Sequence, residues 1–146
     1  MSIFISHTAR VAAHARVYDN AQIQDMARMT NSSTVCQDAK VSNYATISDV
    51  ALVEGHAEVK GQAWVFGKAS IGGSAVIAGN THVSHNARVY GNALIDGKAW
   101  IEGNTIVRGY VHVYGNALVR GNSILEGDVS ISSGQIEEVH WWRDVP

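Results

Sequence analysis

The chain has 146 residues, 46% of them hydrophobic, and a formal charge of −2 at neutral pH, a length that suits one domain. A balance this close to neutral argues against general DNA or RNA binding, which needs a clustered basic surface, and no apolar run approaches the roughly 18 residues of a membrane span. Cys36 is the only cysteine, so no disulfide forms within the chain and a reducing cytoplasm is the expected location.

The opening MSIFISHTAR is short in its apolar part and carries no basic leader, which argues against a signal peptide. From Ile5 onward the sequence keeps a period of six. Every sixth residue from Ile5 through Met29, Ile71 and Ile101 to Ile131, 22 positions in all, is aliphatic or methionine. Two places earlier, from Ala9 to Val129, each residue is Ala, Ser, Thr or Val, with the large Ile3 as the exception. Two places after the aliphatic residue stand Asp19, Asp25, Asn31, Asn43 and Asp49 in the early part, and then 12 of the 14 glycines, Gly55 to Gly127. Asn often follows, at 20, 80, 86, 92, 104, 116 and 122.

A fixed short period is the mark of a repeat architecture. Residues two apart point the same way in a strand, so the small and the aliphatic residue of each hexad share one face. Gly, Asn and Asp between hexads supply the left-handed conformation of a tight corner. A helix is excluded, because β-branched residues and glycine recur throughout. The chain therefore predicts short strand, corner, short strand, corner along its length.

This pattern resembles the hexapeptide repeat of the left-handed parallel β-helix family over residues 3–133. The resemblance implies an all-β triangular prism with three hexads per coil, about seven coils and roughly 35 Å of height at the usual strand spacing. Left-handed crossovers are otherwise rare, so the handedness is what the resemblance implies. In SGQIEEVHWWRDVP, residues 133–146, Glu137 stands where the next aliphatic residue belongs. The expected division is a β-helix over 1–133 and a capping tail over 134–146, with Trp141 and Trp142 covering the open end of the prism or meeting a neighbouring subunit.

Members of this family include acyltransferases and metal-dependent γ-class carbonic anhydrases. The transferases carry a catalytic histidine beside a loop extruded from the coils, and an insertion of that kind would break the count of six, which never slips here. His82 and His112, just before core aliphatic residues, are the candidate bases, and Glu102 lies diagonally from His82. Such a base needs a carboxylate within hydrogen-bond reach. A metal site needs three imidazoles converging at about 2.0–2.1 Å, whereas His7, His14, His56, His82, His85, His112 and His140 scatter over the coils. No metal and no cofactor is expected, and the reading leans away from an enzyme.

Residues 18 apart stack on one face, so the outward columns carry whatever the repeat leaves undecided. One column runs Arg10, Arg28, Thr46, Trp64, His82, Trp100, Leu118, with Phe66 beside Trp64. The next face carries Leu52, Arg88, Ile106 and Ile124 beside Tyr18, Glu54, Tyr90, Arg108 and Glu126, and the third Val76, Leu94, His112 and Tyr114. Bare aromatic residues of this kind imply a subunit interface, and the family resemblance implies a homotrimer. Arg88, Tyr90 and Arg108, with Trp64, His82 and Trp100 on the adjoining face, are the candidate ligand-binding residues. Guanidinium groups suit phosphate or carboxylate, and aromatic planes suit bases or sugars. The expectation is a non-enzymatic binding protein for a small anionic, nucleotide-like ligand, similar to short, loop-free bacterial and phage hexapeptide proteins. The alternatives are an acyltransferase-like enzyme or a structural rod.

Overall fold

The computed structural model describes residues 2–137 and 140–143, the last four through their backbone alone. Among these residues there are 24 strands, most of them two residues long, and no helix. They form three eight-stranded sheets, and successive strands fall on successive sheets. Every pairing is parallel, and through the regular part it joins residues one turn of 18 apart: Phe4 lies beside Gln22, Trp64 beside His82, Arg88 beside Ile106. The result is a three-sided parallel solenoid of about 7 turns, the architecture of a left-handed parallel β-helix. No helix is long and apolar enough to cross a membrane.

The interior follows from the hexads. Ile23, Val41, Val59, Ile77, Ile95 and Val113 rise along one sheet as register partners, and none of them is exposed. Burial of each such side chain stabilises the fold by about 1.5–3 kcal/mol. The small residue two places earlier fills the angle of the triangle, where a larger one would not fit. Where that residue carries a hydroxyl, the group donates to the carbonyl three residues back, as from Ser33 to Thr30 at 2.9 Å and from Thr105 to Glu102 at 2.7 Å. Thr81 is the exception, with its Oγ1 buried and unpartnered among the described residues.

From Asp19 onward the corners are closed by residues with φ between 55° and 84°, seven of them not glycine. Each turn bonds to the next through the backbone there, as from the His56 amide to the Gly73 carbonyl at 2.7 Å. This ladder leaves no free strand edge along the sides of the prism, and it satisfies the polar backbone groups that the core would otherwise strand.

The period ends differently from the count. Glu137 does not break off the ladder. Gln135–Glu137 pairs beside Leu118–Arg120, with Ile136 opposite Val119, an interval of 17. Ile136 takes the core position, and Glu137 turns outward to Arg120, whose Nε donates at 2.9 Å. The backbone of His140–Arg143 then adds a further strand beside Ile124–Gly127. Parallel strands thus continue past residue 133 into the expected tail. The side chains of Trp141 and Trp142, the expected cover, lie outside the described residues.

Candidate ligand-binding faces

The aromatic column stands on the second sheet, built by the strands Trp64–Val65, His82–Val83 and Trp100–Ile101, whose inward Val65, Val83 and Ile101 anchor the rungs. Because successive rungs are in register, the outward rings stack. The His82 ring lies 5.8 Å from Trp64 and 4.5 Å from Trp100, and Phe66 closes on Trp64 at 4.6 Å. Trp64 Nε1 donates to Ser48 Oγ at 2.9 Å, which fixes that indole. The outer surfaces of the stack stay open, with Trp64 43% and Trp100 44% exposed. Beyond Trp100 lies a shallow depression of about 560 Å³ bordered by Lys98, Glu102, Leu118 and Arg120.

His82 is held by rings rather than by charge. Its Nδ1 is buried with no hydrogen-bond partner, and no ion pair joins it to a carboxylate among the described residues. The diagonal Glu102 makes no bond to it, so among the described residues no carboxylate orients His82 as a general base. His112 differs. Its Nε2 lies 3.1 Å from Asp96 Oδ1, and its ring stacks on Tyr114 at 4.3 Å. Ser48–Trp64 and Asp96–His112 are both 16 residues apart in the sequence, and the structure brings both pairs into contact. That diagonal joins the residue after a core aliphatic to the residue before the next one up. Glu102 lies on the opposite diagonal from His82.

Arg88, Tyr90 and Arg108 share the third sheet, where Arg88 pairs with Ile106. They do not form a floor of two free guanidinium groups. Arg108 Nε donates to Glu126 Oε2 at 2.6 Å, its Nη2 bonds the same carboxylate, and its Nη1 donates to the Tyr90 hydroxyl at 3.2 Å. The Tyr90 hydrogen bond, and then Glu126, raise the Arg108 pKa and hold the charge on the guanidinium. The Arg88 side chain makes no hydrogen bond or ion pair among the described residues. The six candidate residues therefore occupy two faces of one chain, and no single cleft of that chain collects them.

Two further chemistries find little footing. Among the described residues no group of three His, Cys, Asp or Glu is placed to hold a metal ion. Burial, and after it Glu54 and Asp19, push the Cys36 thiol up, which keeps it protonated and a poor nucleophile. No family model matches the chain, and no curated protein matches it.

Proposed function

We propose that this chain is a hexapeptide-repeat protein that assembles as a homotrimer in the cytoplasm of a bacterium or of a phage-infected cell. It binds a small anionic, nucleotide-like ligand without turnover, in clefts where a face of one subunit meets a different face of the next. The observation that carries this reading is the half-open ladder of Trp64, His82 and Trp100, which no element among the described residues covers. A soluble monomer rarely leaves such a surface bare, and a closed ring of heterologous contacts covers it once per subunit. Arg88 follows His82 by one strand, on the adjoining face, and its side chain is unpartnered among the described residues. Threefold packing brings a guanidinium from one chain to the aromatic wall of its neighbour, a pairing suited to an anion with a planar ring.

Native mass spectrometry tests this. Chains of 15.7 kDa are expected as trimers that take up at least one member of a panel of nucleotides, sugar phosphates and acetyl-CoA, with no thiol released. Monomers overturn the assembly, and bare trimers throughout the panel overturn the binding. Thiol release from acetyl-CoA that vanishes in His112→Ala replaces this reading with a transferase one, for which the His112–Asp96 pair is the supporting geometry.

A further inference from the structure

At one turn the outward columns of the third sheet narrow to a serine and a glycine. Ser70 stands between Leu52 and Arg88 in one column, and Gly72 between Glu54 and Tyr90 in the other. Twelve glycines hold hexad corners and Gly134 has the same left-handed backbone, but Gly72 is absent from the positive-φ residues. A Cβ added at Gly72 would meet Glu54 Cγ at 3.6 Å and Oε1 at 3.8 Å, which are ordinary contacts. Neither backbone conformation nor close approach requires glycine here. What its missing side chain provides is room.

That room is a recess of about 420 Å³, floored by Gly72 and Gly73 and walled by Glu54, Ser70, Arg88 and Tyr90. The Glu54 carboxylate, the Ser70 hydroxyl and the Arg88 guanidinium have no hydrogen-bond or ion-pair partner among the described residues. Opposite charges sharing a surface commonly pair. Their backbones stand two rungs, about 10 Å, apart, and the Glu54 side chain lies over Gly72 between them without pairing with Arg88. A carboxylate only accepts hydrogen bonds and a guanidinium only donates them. A molecule spanning both must therefore offer donors at one end and an anionic acceptor at the other. A bare anion gains from Arg88 but is repelled by Glu54.

We propose that the recess binds a ribonucleoside monophosphate. Arg88 takes the phosphate with its planar fork. Glu54 accepts from the sugar hydroxyls, the role an acidic side chain plays toward ribose in dinucleotide sites. Ser70 bonds between them, and the Tyr90 ring walls the apolar side. This rests on the anion-binding reading above and narrows it to a sugar-bearing phosphate selected by Glu54.

Titration calorimetry of the intact protein with adenosine and uridine 5′-monophosphates and their 2′,3′-dideoxy counterparts tests the assignment. The ribonucleotide of at least one base is expected to bind about tenfold tighter or more than its dideoxy form, the effect of hydrogen bonds to a charged group. Glu54→Ala is expected to bind the two forms alike. Gly72→Val is expected to bind neither, with its melting temperature close to that of the native protein, because an added Cβ there makes only ordinary contacts. Equal affinity for ribo and dideoxy forms in the native protein, or native binding by folded Gly72→Val, overturns the recess assignment and leaves the anion-binding reading standing. The same holds if only other anions of the panel bind; if nothing binds, both fall.

Discussion

Gly72 and Gly73 are neighbours in sequence with opposite reasons for being glycine. Gly73 has φ 60°, and a Cβ there would lie 2.7 Å from the Gly91 amide nitrogen of the next turn. In the lower turns, side chains tolerate the same conformation because they accept hydrogen bonds from the turn above. Asp25 Oδ2 accepts from the Asn43 amide at 2.9 Å, and Asp49 Oδ2 accepts from the Gly67 amide at 2.9 Å. Gln37 and His85 hold φ 60° as well, although neither type is favoured in turns, so the stacking of corners outweighs local preference. Gly73→Ala is expected to cost about 2 kcal/mol through strain and the clash with Gly91. Gly72→Ala is expected to stay within about 0.5 kcal/mol of the native protein or to exceed it slightly. Urea unfolding of the two variants measures the difference, and equal midpoints would contradict it.

At the scale of the strand, the hexad count was readable to Ile131 and then misled by one residue. Holding strictly to six would turn Glu137 inward and leave Ile136 in solvent. The chain shortens the corner at 132–134 instead, since burying an unpaired carboxylate costs far more than losing one corner residue. Gly134 has φ 84° and open space beside it, so the tighter corner meets no obstacle. Ile136→Ala is accordingly expected to destabilise the last turn by about 2 kcal/mol. Glu137→Ala, which removes only an exposed ion pair with Arg120, is expected to cost less than about 1 kcal/mol. Amide hydrogen exchange across residues 118–137 reads both, and comparable loss of protection in the two variants would refute the inward placement of Ile136. The diagonal contacts belong to this scale too. His112 and Asp96 were both visible in the sequence, but which of two diagonals lets side chains touch depends on how they lean in the sheet.

For the whole molecule, the three faces are the unit of function. The second carries the aromatic stack, the third carries the recess with Arg88 and Glu54, and the first carries the His112–Asp96 pair. For the proposed trimer, Trp100 is the residue to test, because one side of it rests on His82 and the other opens on the depression bordered by Lys98 and Leu118. Trp100→Ala removes an aromatic anchor of the kind that dominates subunit contacts. It is expected to shift the trimer toward smaller species in light scattering while the circular dichroism of the β-helix is unchanged. A trimer of undiminished stability would mean that the stack faces ligand or solvent instead.

The period of six by itself determined the short strands, the core and the corners, because an aliphatic residue, a small residue and a corner residue recur at fixed spacing. With three hexads per coil, as the family resemblance implies, it also placed Trp64, His82, Trp100, Arg88, Tyr90 and Arg108 on their faces. Only the tertiary structure decided what those columns do to one another. It spent Arg108 on Glu126 and Tyr90, left Arg88 and Glu54 unpaired, gave a carboxylate to His112 and withheld one from His82, and kept the ladder going past Ile131. These outcomes depend on distances of a few ångströms between residues 16 to 18 apart. The direction in which each side chain leans sets those distances, and no spacing along the chain encodes it.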